Sequence, residues 1–424
     1  MGYRDRQRGA VIVTVALVLL FLLGFMGIAL DFGHLFIVKT ELQTAMDSCA
    51  LAAAQELDGK NDSIQRAKSA GITAGNLNRV DLQSPDWRSQ GQITEADFTF
   101  LDADYEVTTV ESDAEYAECR HTQNGVGMWL LHIMGAFTGN TTDYPNTRNV
   151  VASAVATRSS AQTTCPIPVG LKPKAGGTAP DYGFQVGEWV KLIVEPGASQ
   201  QGEIGWYNLD GSTNASETIK ELSEPATCET KIGDTLGTPG VQAAVAEIWN
   251  YRFGIYKNGD LPSDHHPDFT GYAYTAQNWK NPPPQNAYSG TPAVGSDPTA
   301  DSFVNKRLAF ASCADTGTQV RGADSCESIT GVNLNSFQNL AAPGNTTGGH
   351  RQYGYNRRIA LVPVIDGSNK VQDYACMLLL QPLSIPMADV ELEYLGNAAT
   401  AGSPCTTNGL PGASAGPLVP VLVR

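Results

Sequence analysis

Basic side chains are scarce in this sequence of 424 residues. Lys and Arg number 28 against 43 Asp and Glu, so the formal net charge is −15. Binding to nucleic acid requires a basic stripe that neutralises the phosphates. The composition therefore excludes nucleic acid as an expected partner, and the excess of negative charge favours solubility outside the cytoplasm.

Motifs of catalysis and metal binding are also lacking. The sequence has no His-Glu-x-x-His, no Gly-x-x-x-x-Gly-Lys-Ser/Thr and no Cys-x-x-Cys, so common zinc and nucleotide-binding signatures are absent. The densest group of potential ligands, Asp-His-His-Pro-Asp at residues 264–268, has the pattern of an exposed turn, and residues 366–370 that of a hairpin turn. We expect no catalytic residue, no cofactor and no metal site.

Proline is absent from the first 57 residues, and residues 10–30 contain a single polar side chain, that of Thr14. A helix of this length spans about 31 Å, close to the hydrocarbon thickness of a bilayer. Arg4, Arg6 and Arg8 precede it. The positive-inside rule therefore predicts a cytoplasmic basic flank at residues 1–9, a transmembrane helix at residues 10–30, and the remainder of the chain across the membrane.

Two kinds of processing are alternatives to an uncleaved anchor. A cleaved signal peptide has a shorter apolar region and a small-residue cleavage site close behind it. Here the first such string, Ala50-Leu51-Ala52, lies well beyond the apolar run. Prepilin-type processing after Gly9 is the second alternative, although position 14 is Thr where such sites carry an acidic residue. The sequence favours an uncleaved anchor.

Apolar residues become periodic after the membrane segment instead of ending there. They recur at spacings of three and four from Leu35 to Leu57, which is typical of an amphipathic helix. We predict one nearly continuous helix over residues 10–57, about 70 Å long, with Gly33 as its weakest point. A second helix follows from residue 64 to residue 77.

The region after these helices has strand patterns. Alternation predicts strands near residues 98–107 and 149–157, with a short amphipathic helix over residues 126–137 between them. A small polar stretch at residues 159–164 marks a domain boundary. The fold class predicted for residues 31–160 is therefore α+β, with a helical stalk and a small antiparallel sheet.

Beyond the boundary the chain becomes rich in Gly and Pro, which number 43 and 24 in the whole sequence. We predict a β-rich extracytoplasmic domain over residues 165–424, in which residues 258–300 form a long irregular excursion. Two helices are expected within it, at residues 216–222 and 241–252. Its strands are expected at residues 189–194, 359–365, 374–380, 390–394 and 418–423.

Eight cysteines form an even set in a chain placed in an oxidising compartment, which favours disulfides. The 105 possible connectivities stay open in principle. Cys313 with Cys326 is the first expected pair and Cys376 with Cys405 the second, while Cys165 and Cys228 are further candidates. Cys49 lies on the apolar helix stripe, where we expect a free, packed thiol.

The N-terminal segment resembles the TadG-like family of tight-adherence (Flp) pilus assembly proteins. The resemblance covers residues 8–57 and rests on several short strings. They are Arg-Gly before the apolar run, Ala-Leu-Asp-Phe-Gly at residues 29–33, Thr-Glu-Leu-Gln at residues 40–43, Asp47 in a small-residue tract, and Ala-Leu-Ala-Ala-Ala at residues 50–54. Segments at residues 203–211, 375–380 and 404–423 resemble the C-terminal region of the same group.

The resemblance implies a bitopic, pseudopilin-like component of the bacterial inner membrane, with its bulk in the periplasm and a possible place in a surface pilus. Its partners would be the inner membrane and other pilin or pilus-assembly subunits, contacted through the N-terminal helix. Some family members carry a von Willebrand A domain with Asp-x-Ser-x-Ser. Here the nearest string, Asp210-Gly-Ser-Thr-Asn214, ends in Asn, which disfavours metal-dependent adhesion.

A tract of small residues lets another element approach the helix closely. The expected helix-packing interface comprises Asp31, Gly33, Ala45, Cys49, Ala50, Ala53 and Ala54. Two alternatives stay open for this interface: contact with another subunit, or packing under the chain's own strands, predicted at residues 98–107 and 149–157. Asp31 either ends the apolar span at the membrane surface or pairs with a cation of a partner during assembly.

Three function classes follow from these observations. The first is a minor-pilin-like component in the assembly of Flp (type IVc) pili that supports adhesion, with no enzyme activity. The second is a surface adhesin whose C-terminal domain binds a glycan or another surface ligand. The third is a periplasmic hydrolase, because six histidines leave room for a Ser-His-Asp arrangement.

Overall fold

The computed structural model describes residues 5–133, 139–223, 230–240, 243–257, 259–293, 297, 299–313, 319–322, 325–334, 336–337, 339–340, 346–411 and 415–424. Side chains at residues 5–10, 20, 23, 339, 346–348, 408 and 409 are outside this description. The chain divides into two compact units, one of Met1–Ser159 with Val419–Arg424 and one of Ser160–Leu418.

Helix α1 spans Asp5–Glu56, 52 residues in one uninterrupted element. The prediction of a continuous helix through Gly33 is therefore confirmed. Its two halves differ in burial: described side chains at residues 11–30 are almost all exposed, whereas a stripe from Asp31 onward is buried. The stripe repeats every three or four residues, as the amphipathic pattern requires. It comprises Asp31, His34, Val38, Leu42, Ala45, Met46, Cys49, Ala50, Ala53 and Ala54.

Small residues bring α1 against helix α2, which spans Ser63–Asn76. A Cβ atom added at Gly75 would lie 3.1 Å from Cys49 Cβ and 3.3 Å from the Ala45 carbonyl oxygen. At Gly71 the added atom would lie 3.0 Å from the Cys49 carbonyl oxygen. The two helix backbones therefore approach to a distance at which only glycine fits.

An antiparallel sheet covers the buried stripe of α1. Strand β1 is Phe98–Leu101, β2 is Tyr116–Gly127 and β3 is Thr147–Thr163, paired in that order. Short 3₁₀ turns at Trp87–Ser89 and Glu95–Asp97 precede β1. Strand β2 corrects the expectation of a helix from residue 126, because Val126 pairs with Arg148 of β3.

The helical conformation in that region is confined, within the described residues, to residues 131–133. The predicted positions Met134 and Phe137 lie outside them.

The second unit contains a closed six-stranded barrel in the order β10-β11-β5-β6-β4-β9. Its strands include four of the five expected after residue 165, within a few residues of their predicted bounds; the fifth, expected at residues 418–423, is β13, which pairs with β3 outside the barrel. The barrel's closure and strands β4 and β6 were not predicted. The strands are β4 Val169–Leu171, β5 Trp189–Leu192, β6 Ile204–Trp206, β9 Ile359–Ile365, β10 Val371–Leu379 and β11 Val390–Asn397. The predicted hairpin turn at residues 366–370 is confirmed, because it joins the antiparallel strands β9 and β10.

Helices and short strands complete the described elements. The predicted helices correspond to α3 Ala215–Leu222 and α4 Ala244–Tyr251; position 241 lies outside the described residues. The other helices are α5 Phe303–Ala309, α6 Cys326–Thr330 and α7 Thr346–Tyr353. The other strands are the pair β7 Ile255–Tyr256 and β8 Asn339–Leu340, then β12 Thr406–Pro411 and β13 Leu418–Leu422, both pairing with β3.

The irregular excursion at residues 258–300 has no helix or strand within its described residues, and a buried cation fixes part of it to the barrel. The guanidinium of Arg358 donates to the carbonyl oxygens of Thr270 and Tyr272, and to those of Leu379 and Leu380 in and after β10. It also lies 4.2 Å from the centroid of the Phe253 ring. Burial lowers the pKa of Arg358 to about 10. In this segment the Arg358 side chain supplies the hydrogen bonds to backbone carbonyl oxygens that a neighbouring strand supplies in a regular sheet.

Disulfides join both pairs that the sequence placed first, Cys313–Cys326 and Cys376–Cys405. Cys165 is disulfide-bonded as well, and Cys228 lies outside the described residues. The expectation of a free thiol at Cys49 is wrong, because Cys49 is bonded to Cys119. The stripe of α1 faces strand β2, on which Cys119 points into the same core.

Removal of the Cys49–Cys119 bond is expected to destabilise the first unit. The bond closes a separation of 70 residues, for which chain entropy predicts a loss of about 4 kcal/mol in the free energy of unfolding. The double variant Cys49→Ala/Cys119→Ala in detergent, unfolded with guanidinium, measures this loss. The matched control, Cys313→Ala/Cys326→Ala, closes a separation of only 13 residues and should lose about 3 kcal/mol. Unchanged unfolding of the first variant would contradict the assignment.

Candidate functional site: the α1 junction

The change from exposed to buried on α1 occurs at one place, which we call the α1 junction. It comprises residues 27–39 of α1 and residues 127–133, that is, the last residue of β2 and the segment after it. Gly27 is the only buried residue among those whose burial is described at positions 11–30. From Asp31 onward one side of the helix packs against α2 and the sheet of the first unit. The junction therefore lies where the apolar run ends and the folded unit begins.

Asp31 is fully buried at the junction. Its carboxylate accepts three backbone N–H bonds, from Trp129 at 2.7 Å, Leu130 at 2.9 Å and Leu131 at 2.5 Å. These N–H groups begin the helical turn at residues 131–133, where no carbonyl of the turn can accept them. A carboxylate at a helix N-terminus is favoured by both the hydrogen bonds and the local dipole. Asp31 is thus a cap within its own chain.

His34 lies one turn further along α1 and holds the same segment. Its Nε2 lies 2.8 Å from Asp81 Oδ1, and its Nδ1 lies 3.2 Å from the Gly127 carbonyl oxygen. Both partners are oxygen acceptors, so the ring lies between two fixed polar groups of its own chain. The imidazole also stacks on the Trp129 indole, with ring centroids 4.3 Å apart. Head and helix are therefore joined by polar and aromatic contacts together.

Gly27 is the third point of attachment, and no pattern in the sequence pointed to it. A Cβ atom at Gly27 would lie 3.0 Å from Leu130 Cβ, so the absence of a side chain lets Leu130 rest on the helix. By contrast, a Cβ at Gly33, which was expected in the packing interface, would meet no atom within 4 Å. Gly33 is therefore not a point of close approach within the described chain.

A groove runs beside α1 just beyond the junction, with a volume of about 540 Å³. Phe32 and Phe36 of the helix form one side, and Val151 of β3 lies on the other. Lys39 crosses the groove and donates from Nζ to the Val151 carbonyl oxygen. The groove combines an apolar lining with the cations of Lys39 and Arg148.

The other expected packing residues are gathered in the core of the first unit. Ala45, Cys49, Ala50, Ala53 and Ala54 all have no exposed surface. Their neighbours are α2 and the strands of the same unit. This arrangement matches the alternative in which the small-residue tract packs under its own head.

The histidine pair at residues 265 and 266 does not converge on a common point. The His265 ring stacks on Tyr251, whereas the Nδ1 atom of His266 is bonded to the Tyr353 carbonyl. Asp268 is buried and accepts N–H bonds from Arg357 and Arg358. The three side chains serve separate structural contacts.

Carboxylates do converge elsewhere in the second unit. Ligand atoms of Asp210, Glu217 and Glu221 lie within 4.8 Å of one another. Two of them already have partners in the chain: Glu221 accepts the N–H groups of Leu209 and Asp210, and Glu217 accepts a hydrogen bond from Lys220. Burial, opposed by the two N–H bonds and assisted by the neighbouring carboxylates, raises the pKa of Glu221 to about 7.

One string has the spacing of a hydrolase nucleophile turn, Gly-Ala-Ser-Ala-Gly at residues 412–416. Such a turn joins a strand to a helix. Here the string lies between strands β12 and β13, and residues 412–414 are outside the described residues. The observed order of elements does not match that motif.

Loss of the Asp31 cap is expected to loosen the segment 129–131. In Asp31→Asn an NH₂ group, which cannot accept a hydrogen bond, replaces one carboxylate oxygen, and the negative charge is lost. A hydrogen bond to a charged group contributes about 1.5–3 kcal/mol to the free energy of unfolding. Hydrogen exchange of these amides, measured in nanodiscs, should then accelerate by about 10- to 100-fold. The control Asp47→Asn, a half-buried carboxylate on the same helix, should leave this exchange unchanged. Equal exchange in Asp31→Asn and the parent would show that the cap contributes little.

The second unit is expected to lose stability as the pH rises. The pKa of Glu221 is raised in the folded state to about 7 from its usual 4.5, so the folded state binds the proton more tightly. The stabilisation is complete below about pH 4.5 and is lost as the pH rises through about 7. Burial also raises the pKa of Glu393 to about 7, which acts in the same direction.

Thermal unfolding between pH 5 and pH 8 measures this effect. The midpoint should fall by roughly a few °C. Glu221→Gln should reduce the fall, leaving the parts due to Glu393 and Glu391 less the opposing part of His350, whose pKa burial lowers to about 4. Glu195→Gln, at an exposed position, is the control and should keep the parent slope. A midpoint that rises with pH would contradict the expected direction.

Comparison with known proteins bears on the junction directly. A family model described as putative Flp pilus-assembly TadE/G-like matches residues 9–56. No curated protein and no solved structure matches the chain significantly. The matched residues coincide with α1 and include Gly27, Asp31 and His34. Over residues 9–56 the chain is therefore similar to the TadE/G-like family of Flp pilus-assembly proteins.

Proposed function

We propose that this protein is a membrane-anchored, minor-pilin-like component in the assembly of tight-adherence (Flp) pili, with a structural and not a catalytic role. One observation carries the proposal: the family match at residues 9–56 coincides with a helix whose apolar half is exposed. A helix that is apolar all round requires lipid or other helices around it. Both environments occur during the assembly of a pilus from membrane-held subunits.

The division of α1 indicates which part meets other subunits. Its second half is enclosed by α2 and the sheet, so the small-residue tract is occupied by the protein's own head. The first half, residues 11–30, is available. Gly24 lies there with no heavy atom within 4 Å of an added Cβ, which leaves a notch for close approach of another helix. Partner subunits would therefore pack along residues 11–30.

The proposed topology follows from the charges that flank the helix. Residues 1–9 with their three arginines would remain in the cytoplasm, and the two units would lie in the periplasm of the inner membrane. Three described disulfides are consistent with an oxidising compartment. Residues 31–160 would then be the pilin-like stalk and head, and residues 165–424 the exported β-rich domain.

A second candidate function is adhesion through the second unit. A cavity of about 660 Å³ is lined by Tyr355, His266, Asp264 and Asn356. Tyr355 is exposed and its ring lies 4.5 Å from that of His266. An exposed aromatic face beside carboxylate and amide groups is a combination that can hold a sugar. In this alternative the same chain would bind a glycan at the cell surface.

The notch at Gly24 gives a test of the assembly role. Gly24→Leu fills the notch with a side chain suited to lipid, so the anchor should insert normally while helix packing is weakened. A loss of about 1.4 kcal/mol corresponds to a tenfold loss of association, and piliated cells should decline by roughly that factor at equal protein level. Leu22→Phe, which adds bulk on an already exposed side chain, is the matched control and should pilate normally.

Two readouts separate the candidate functions. Sheared-pilus and inner-membrane fractions locate the chain, and a photo-cross-linker at Met26 should capture other pilus subunits while one at the buried Met46 should not. Normal piliation of Gly24→Leu, together with absence of cross-links, would overturn the assembly role. Loss of adhesion in Tyr355→Ala with normal pili would favour the glycan-binding alternative.

A further inference from the structure

The segment that Asp31 caps presents apolar side chains to its surroundings. Trp129 is 47% exposed, Leu130 37% and Ile133 41%. Yet the backbone of Trp129 and Leu130 is bonded to Asp31 of α1, and the N–H group of Ile133 is bonded to the Leu130 carbonyl oxygen. Exposed apolar residues that lie together on an ordered backbone indicate a contact surface.

The contact between Leu130 and Gly27 gives the depth of this surface. Gly27 lies three residues before the end of the apolar run, which is about 4.5 Å along the helix axis. Leu130 rests on it, with its Cβ 3.0 Å from the position of an added Gly27 Cβ. If α1 spans the bilayer, the segment 129–133 therefore lies at the level of the hydrocarbon edge.

The polar groups of the segment are arranged for that environment. Backbone N–H groups are costly in hydrocarbon unless they are satisfied internally. The N–H groups of residues 129, 130 and 131 all donate to the Asp31 carboxylate. Nδ1 of His132 is bonded to the Met128 carbonyl oxygen. Trp129 stacks on His34 and is nevertheless about half exposed, and tryptophan is enriched at membrane interfaces.

We propose that the segment 129–133 is a second membrane-inserted element, which dips into the lipid interface beside α1 and holds the head against the bilayer. The occupant of the exposed surface is lipid, argued from its continuity with the membrane-spanning part of α1. This inference rests on the proposed anchoring role of α1 and adds a second point of attachment. Asp31 provides the internal partner that lets the backbone of residues 129–131 approach hydrocarbon.

A nitroxide at position 133 tests the proposal in the full chain. None of the described cysteines is free, so Ile133→Cys introduces a labelling site, and a thiol titration of the parent gives the background. The labelled chain is reconstituted at one copy per nanodisc. We expect collisions with oxygen, which concentrates in lipid, to exceed those with a water-soluble nickel chelate, giving a ratio above one.

Two further labels make the outcome unambiguous. Leu77→Cys is the matched control in the same unit, because Leu77 is 80% exposed. It follows Gly75, which packs against α1 at Ala45. Ala45 lies about 22 Å along the helix axis beyond Leu30, so this label is far from the apolar run. Its ratio should be below one. Leu22→Cys reports on the anchor itself and should give a ratio above one. A lipid-like ratio at 22 with a water-like ratio at 133 overturns this inference and leaves the anchor standing, whereas water-like ratios at both positions contradict the anchor.

Trp129 provides a measurement that needs no cysteine. Lipids with brominated chains should quench the parent more than Trp129→Phe, whereas Trp189→Phe, in the second unit, should be quenched like the parent. Equal quenching of Trp129→Phe and the parent overturns the proposal even if the label at position 133 perturbs the fold. Shielding of position 133 that depends on more than one copy per disc would assign the surface to a second subunit and would also overturn it.

Discussion

One interaction ties the first unit to α1: the buried carboxylate of Asp31 accepts the backbone N–H groups of residues 129–131, which begin a helical turn and have no acceptor within it. The consequence extends through the first unit. Because the segment after β2 is tied to α1 at this point, β2 and β3 are placed along the second half of the helix. His34 and Gly27 reinforce the same attachment by stacking and by close packing. The result is a defined point on α1 at which the exposed apolar half ends and the folded unit begins.

Beyond the junction, the small size of the side chains on α1 and α2 determines how closely the first unit packs. Alanines on α1 meet glycines on α2, so the backbones come close and few large side chains are needed. A core built this way buries less apolar area per residue than one of Leu and Phe. The Cys49–Cys119 bond joins this core to β2, and cross-links of this kind compensate for a small core.

The second unit solves a different problem. Its barrel removes free strand edges, while the irregular chain around residues 268–274 must satisfy its backbone groups without a sheet. Arg358 does so for the carbonyl oxygens of Thr270 and Tyr272, and it also binds those of Leu379 and Leu380 at the end of β10. In return, Asp268 of the irregular chain accepts the N–H groups of residues 357 and 358. Two buried ions thus replace regular pairing, and the cation–π contact with Phe253 adds to their stability.

The sequence by itself determined the features that depend on local pattern: the long helix, the strands at residues 359–365 and 390–394, the hairpin turn at 366–370, and the two disulfides between cysteines close in the chain. Strand β2 was missed because its inward positions include His121 and Gln123, which break the apolar alternation on which recognition depends. Closure of the barrel also lay beyond local pattern.

Only the tertiary structure decided the partner of Cys49, which lies 70 residues away, and the role of Asp31, whose donors lie 98 to 100 residues away. It also decided that the small-residue tract faces its own sheet. Contacts between residues so far apart in the chain produce no periodic pattern in the sequence, because the surface that each side chain packs against forms only when the chain folds.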